Sequence, residues 1–365
     1  MSLCVVLAGG GTAGHVEPAL ATADALRRLS PEAEITFLGT ATGLEARLVP
    51  ERGERLVTIP RVPLPRRPTP DLLAVPFRLR AAVKAVERIL SETGADVVVG
   101  FGGYVAMPAY LAARAARVPI VVHESNARPG LANRIGARFA AAVATGYPDS
   151  ALPRAHYLGT PLRTAISGLD RPATRAAARA AFGLAADLPT VLVFGGSLGA
   201  RSVNTAAAAA AAALVHAGSQ VLHATGDAHL DAVRAAVGDD LPSYRIVPYL
   251  DRMDLAYAAA DVAVCRAGAM TCSELAAVGL PAVYVPLPHG NGEQRLNALP
   301  VVGAGGGLLV ADGELTADRL TELLVPLLVD PARLAQMSSA ATAFGRRDGD
   351  TALAQLILET ARTQR

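Results

Sequence analysis

The sequence predicts an α/β protein built as two doubly wound halves, each around its own parallel sheet. Three observations carry that expectation. Strand and helix patterns alternate through all 365 residues. Runs such as Asp96-Val97-Val98-Val99 and Pro119-Ile120-Val121-Val122 are apolar on both faces, as strands inside a parallel sheet must be. A glycine turn, Gly9-Gly10-Gly11-Thr12-Ala13-Gly14, is echoed by Gly195-Gly196-Ser197-Leu198-Gly199-Ala200, each after a strand and before a helical pattern. Each half is therefore expected to be Rossmann-like.

Composition sets the bounds. Hydrophobic residues make 52% of the chain, enough for two cores, although aromatics make only 4%. A net charge of +2 gives no global footprint for nucleic acid. Cys4, Cys265 and Cys272 lie in apolar or helical contexts without CxxC spacing, which suits reduced thiols. The N-terminal apolar run ends in the glycine turn, without the basic start or cleavage site of a signal peptide. No stretch reaches the ~20 apolar residues that span a bilayer, so the protein is expected to be soluble or peripheral.

In order, strands are expected at 3–8, 34–39, 56–59, 96–100, 119–123 and 142–145 in the first half. In the second they are expected at 190–195, 219–223, 244–247, 261–265, 281–285 and 307–310. The halves should meet near Gly159-Thr160-Pro161. A last helix over Thr351–Thr363, with Leu353, Leu356 and Ile357 on one face, should pack back onto the first half. The expected domains are thus 1–162 with 342–365, and 163–341.

The chemistry-bearing stretches lie where strands end. Gly9, Gly11 and Gly14 satisfy G-x-G-x-x-G, and a glycine turn opening a helix suits phosphate. A dinucleotide site also needs a carboxylate after the second strand; here none occurs until Glu45, which argues against NAD. His15 follows the last glycine directly, which a phosphate cradle does not require. A tight strand-to-helix turn is the plain alternative. In the second turn, Ser197 suits either a diphosphate oxygen or a helix N-cap. Thr271 and Glu274 fit a capping box, or Glu274 holds a ribose diol with the helix N-terminus facing phosphates. A third glycine turn spans Gly100 to Tyr104. His123-Glu124-Ser125-Asn126 ends a buried strand, where hydrogen bonding fits better than a metal. Gln294 and Asn297 share a helix face.

Residues 61–90 carry seven basic side chains against two acidic ones. Leu72, Leu73, Val75, Phe77 and Leu79 interleave with Arg78, Arg80 and Lys84, which suits an anionic membrane surface or a solvated basic helix with an apolar core face. Asp348-Gly349-Asp350 could hold a divalent metal, but N-capping by Asp350 fits its position better.

Taken in order, these blocks resemble the MurG family of bacterial cell-wall glycosyltransferases, from about residue 5 to the C-terminus. The matching segments are 10–15, 100–104, 123–126, Gly159-Thr160-Pro161-Leu162-Arg163, 195–201, 266–274 and the Gln294/Asn297 helix. The resemblance implies a GT-B fold, two Rossmann-like domains facing a cleft. It implies transfer of N-acetylglucosamine from UDP-N-acetylglucosamine to the C4 hydroxyl of the membrane-bound acceptor lipid I, giving lipid II with inversion to a β-1,4 link. His15 would be the general base. Thr12, Ala13, Gly14 and Asn126 would line the transferred sugar, and Arg163 and Ser197 would hold the diphosphate. Leu250 would meet the uracil through its backbone. Ala269, Met270, Thr271, Cys272 and Ser273 would lie beneath the phosphates, Glu274 would take the ribose hydroxyls, and Gln294 and Asn297 the sugar. No cofactor is required; a divalent metal could stimulate without a site evident in the sequence. The implied place is the cytoplasmic face of the cell membrane, peripherally bound. The sequence departs from the family pattern at Ala13, Ser125, Thr160, Leu198 and Glu293. A UDP-N-acetylglucosamine 2-epimerase, another glycolipid glycosyltransferase of the same fold, an NAD(P) oxidoreductase and a non-catalytic nucleotide-sugar module are the rival readings.

Overall fold

The computed structural model describes residues 2–62, 73–196, 199–289 and 291–363. Leu72 and Ser197, both expected at functional surfaces, lie outside the described residues. The chain forms two compact units, Met1–Arg163 with Arg347–Arg365, and Thr164–Arg346.

The first unit holds strands β1 (Cys4–Gly9), β2 (Glu34–Gly39), β3 (Arg55–Thr58), β4 (Val97–Gly102), β5 (Ile120–Glu124), β6 (Ala142–Thr145) and β7 (Ala155–Tyr157). Between them run α1 (Ala13–Leu29), α2 (Glu45–Glu51), α3 (Val75–Thr93), α4 (Ala106–Ala116) and α5 (Leu131–Gly136). The sheet order is β3-β2-β1-β4-β5-β6-β7, with every neighbouring pair parallel. Alternate side chains of each central strand enter opposite cores. Val5, Leu7, Val97 and Val99 face one, Val6, Ala8 and Val98 the other. That two-sided burial is why these strands read as unbroken apolar runs.

The second unit repeats the plan. Its helices are α6 (Thr164–Ser167), α7 (Arg171–Ala181), α8 (Arg201–Ala209), α9 (Ala211–His216), α10 (Leu230–Val237), α11 (Met253–Ala259), α12 (Ala269–Val278), α13 (Glu293–Gly303), α14 (Ala317–Leu328) and α15 (Pro331–Phe344). Its strands are β8 (Thr190–Phe194), β9 (Gln220–Ala224), β10 (Tyr244–Val247), β11 (Val262–Cys265), β12 (Ala282–Tyr284) and β13 (Gly307–Leu309). They are ordered β10-β9-β8-β11-β12-β13, all parallel. The alanines of α8 and α9 that inflate the composition, among them Ala206, Ala207 and Ala211, are buried against this sheet.

α16 (Gly349–Arg362) returns to the first unit and buries Leu353, Ala354, Ile357 and Ala361 in the core that α1 shares. Leu356, expected on that face, is only partly buried beside it. Asp350 does not cap the helix. Asp348 is the N-cap residue, though its side chain makes no cap bond, and Asp350 instead pairs with Arg28 at 2.5 Å. The division also differs at both edges from the expected 162/163 and 341/342. Arg163 groups with the first unit, and the second extends to Arg346 because α15 continues to Phe344 and the next residue, Gly345, packs against the Ala276 backbone. β7 at Ala155–Tyr157 is not among the strands expected from the sequence. It is a three-residue edge strand, half exposed, so it lacks the apolar run that marks the inner strands.

Candidate functional site

In a doubly wound sheet the chain reverses strand order at one point, and ligands bind beyond the strand ends there. In the first unit that point lies between β1 and β4, and the glycine turns Gly9–Gly14 and Gly100–Tyr104 leave these two strands. Their pairing slips by one residue, from Ala8 opposite Gly100 to Gly9 opposite Gly102, which brings the turns together. In the second unit the reversal lies between β8 and β11. The segments 195–201 and 266–274 leave those two strands. The sequence blocks are thus the loops of two switch points.

The first switch point is built around His15. Thr12 is the N-cap residue of α1 but makes no cap bond with its side chain. Its hydroxyl lies 3.1 Å from His15 Nδ1. The ring packs on the Gly102-Gly103 backbone, where a Cβ at either position would crowd the imidazole. Both glycines have positive φ, 99° and 77°, so a side chain is opposed by conformation as well as by space. Burial lowers the His15 pKa below 6.5, against Glu124, the Gly10 backbone and Glu45, which act to raise it. The ring is therefore neutral at neutral pH, the form a general base needs. It borders an open pocket of about 370 Å³ lined also by Thr12, Thr42, Arg61 and Tyr104. The Arg61 guanidinium sits 5.1 Å over the Tyr104 ring.

β5 supplies the next wall. His123 is fully buried, its Nε2 3.0 Å from the Gly159 carbonyl, and burial pushes its pKa down to about 4. Its ring nitrogens are engaged by backbone and by Ser125. The Glu124 carboxylate accepts from the Asn126 backbone N–H at 2.9 Å, the Asn126 side-chain amide at 3.1 Å, Gly130 N–H at 2.9 Å and Asn133 Nδ2 at 3.0 Å. Asn133 in turn accepts from the Tyr110 hydroxyl at 2.7 Å. Asn126 is thereby held by a fixed carboxylate. Ala13 and Gly14 open α1 beside Thr12 and are partly exposed. Arg163 lies opposite Glu17, two residues after His15, with Nε 3.7 Å from the Glu17 carboxylate.

At the second switch point, Gly268 caps α12 in extended conformation without a side-chain bond. Ala269, Met270 and Thr271 are therefore the first-turn residues, with amides that have no partner within the helix. The capping-box alternative fails here. Thr271 is the third helical residue, so it cannot act as N-cap to Glu274. Glu274 is buried and accepts from the Tyr257 hydroxyl at 2.8 Å. Cys272 is buried and Ser273 partly so. Leu250 follows β10 with a buried side chain. Gln294 Oε1 accepts from Leu287 N–H at 2.9 Å, bracing the loop before α13. Asn297 is fully buried and donates to the Ala267 carbonyl at 3.3 Å. The shared face of Gln294 and Asn297 thus steadies the loops around α12 rather than standing in solvent. Arg266 joins Asp312 at 2.5 Å, Ser202 at 2.9 Å and the Val285 carbonyl at 3.1 Å, tying the segment after β11 to the start of α8 and to the segments after β12 and β13.

Sequence reasoning gave no role to Tyr257, Arg266 or Asp312, because Glu274 lies 17 positions from Tyr257 and Asp312 46 from Arg266, with no local pattern linking them. No group of three or more His, Cys, Asp or Glu side chains able to hold a metal occurs among the described residues.

Two family models match. The glycosyltransferase family 28 N-terminal domain covers residues 5–145, and its C-terminal domain covers 190–353. The protein is 62% identical to the UDP-N-acetylglucosamine--N-acetylmuramyl-(pentapeptide) pyrophosphoryl-undecaprenol N-acetylglucosamine transferase of Acidothermus cellulolyticus, over 99% of each chain. It is also 62% identical to the protein of that name from Streptomyces coelicolor, over 97% of each. Among solved structures it resembles Acinetobacter baumannii MurG, with TM-score 0.78 and 28% identity, covering 98% of this chain and 100% of that one. A UDP-GlcNAc 2-epimerase from Neisseria meningitidis gives TM-score 0.68 over 100% of both chains, but at 12% identity it shares the fold alone. The two switch-point sheets are those of the GT-B fold, and by identity over nearly its whole length the chain belongs to the MurG family within glycosyltransferase family 28.

Proposed function

We propose that this protein transfers N-acetylglucosamine from UDP-N-acetylglucosamine to the C4 hydroxyl of the N-acetylmuramyl group of lipid I, making lipid II for peptidoglycan. The observation that carries the mechanism is the His15 imidazole, held by Thr12 on a glycine cradle beside an open pocket. His15 removes the acceptor proton as the hydroxyl attacks the anomeric carbon, through an oxocarbenium-like state. The departing UDP carries negative charge. The first-turn amides of α12 and the 195–201 turn receive it, and Arg163 adds a cation. Glu274, oriented by Tyr257, takes the ribose hydroxyls. One base and no carboxylate assigned as nucleophile give a single displacement, hence inversion from an α-linked donor to a β-1,4 product. This chemistry asks for no cofactor.

The acceptor carries a lipid, and membrane contact belongs to the same proposal. Leu73 and Phe77 are each 78% exposed at the start of α3, while Ala82, Val86, Ile89 and Leu90 bury its later turns. The exposed start of α3 supports the membrane reading, and its buried later turns support the core-facing one. Leu73 and Phe77 would meet an anionic surface together with Arg78, Arg80 and, farther along the helix, the exposed Lys84. Val75 and Leu79 are partly buried. No helix among the described residues is long and apolar enough to cross a membrane.

The test is transfer of radiolabelled N-acetylglucosamine from UDP to a lipid I analogue, with donor alone as control. Label in the lipid product is expected. Epimerised donor without transfer would replace this reading with the 2-epimerase.

A further inference from the structure

Glu45 opens α2 and is fully buried, yet no role in the reaction follows from anything above. Among the described residues it has no ion-pair partner. Its carboxylate accepts from Gly11 N–H at 2.8 Å, Thr40 N–H at 2.8 Å and the Thr40 hydroxyl at 2.9 Å. Three glycines make room for it. A Cβ at Gly10, Gly39 or Gly43 would fall onto the Glu45 side chain. Three positions left bare around one buried side chain, with three donors aimed at its carboxylate oxygens, mark a group that the fold holds in one place.

What the carboxylate grips is the reaction loop. Gly11, at φ 90°, immediately precedes Thr12, and Thr12 holds the His15 ring. Glu45 also lines the pocket that His15 borders. We propose that Glu45 is a positioning residue for the transfer reaction, fixing the Gly11 amide so that Thr12 sets the His15 ring and holding a negative charge that favours the imidazolium formed when His15 takes the acceptor proton. The charged groups acting on His15 are Glu124 from β5 and Glu45 from α2, and both favour the protonated ring. Glu124 secures the Asn126 loop, whereas Glu45 secures the turn that carries the base.

This proposal rests on His15 being the base, and the test separates the two. Turnover is measured with saturating donor for wild type, Glu45→Gln, His15→Ala and the double variant, with thermal melting of each. Glu45→Gln keeps the size of the side chain and removes its charge. It should lower kcat about tenfold while the KM for UDP-N-acetylglucosamine changes less than twofold, and the acid limb of its kcat/KM profile should move to lower pH. In the His15→Ala background the same substitution should change the residual rate less than twofold, because the group it acts through is gone. An equal loss in both backgrounds, or an unchanged kcat and acid limb in Glu45→Gln alone, overturns the proposal while leaving the base intact. Unchanged turnover in His15→Ala overturns the base and this proposal together. If Glu45→Gln melts too low to assay, Glu45→Asp, which keeps the charge and shortens its reach, takes its place in the cycle. There the kcat loss and non-additivity should persist with little movement of the acid limb. An additive loss again overturns the proposal.

Discussion

The Thr12 hydroxyl and His15 Nδ1 lie 3.1 Å apart, within one turn of α1. The residue that would ordinarily cap this helix instead holds a ring nitrogen, which fixes the imidazole. Removing that bond should matter to rate more than to folding, since the helix loses no cap. Thr12→Val should lower kcat about fivefold to tenfold, as loss of one hydrogen bond worth ~1 kcal/mol implies. Thr12→Ser should stay within about twofold, by the same reasoning about a retained hydroxyl. Steady-state kinetics with a lipid I analogue decide it; equal rates for Val and Ser variants would remove the hydroxyl from the mechanism.

The pH dependence follows from the direction of the His15 shift. Burial lowers its pKa below 6.5, more than Glu124, Gly10 and Glu45 raise it. With His15 as the proposed base, the neutral ring is the working form, so activity should be present above the lowered pKa and lost as pH falls through it. The acid limb of kcat/KM should therefore lie below 6.5. A limb at or above that value would mean that the ring is not desolvated in solution.

Two other histidines govern stability in acid. His123 and His223 are fully buried, and burial pushes each to about 4 from 6.5. Their pKa is lower folded than unfolded. Their stabilisation is whole above 6.5, is lost as pH falls from there, and the loss saturates below about 4. At ~1.4 kcal/mol per unit, each accounts for roughly 3 kcal/mol. Denaturant titrations at pH 7 and 4.5 should show the drop. His223→Gln, which keeps a polar partner for Tyr244 and Asn204, should reduce it. An unchanged drop in that variant would contradict the account.

Membrane contact is tested at the exposed end of α3. Leu73→Glu with Phe77→Glu should cut co-sedimentation with anionic vesicles severalfold, the direction expected when apolar area and positive charge act together. Transfer to a short-chain, soluble acceptor analogue should be unaffected. Equal sedimentation would place membrane contact elsewhere.

Much of this was legible in the sequence. Buried parallel strands announce themselves as two-sided apolar runs, so Val97-Val98-Val99 and Val191-Leu192-Val193 needed no further evidence. Glycine turns after strands marked both switch points. What local pattern could not convey was partnership across the fold. Glu45 was noticed only as a carboxylate too late for a ribose; that it reaches back to Gly11 depends on three glycines spread over 34 positions. Thr271 with Glu274 satisfied a capping motif that the helix, starting at Ala269, does not use. Asp350 looked like a cap and proved to be the partner of Arg28, 322 positions away.

The central claim is that His15 is the base. The most direct measurement is turnover of His15→Ala with UDP-N-acetylglucosamine and a lipid I analogue, alongside its UDP affinity by calorimetry. A loss of general-base catalysis predicts a fall of about 10²–10⁴ in kcat, with UDP affinity within about twofold, since no contact with the nucleotide is assigned to His15. Turnover equal to wild type in a folded, UDP-binding variant would contradict the claim.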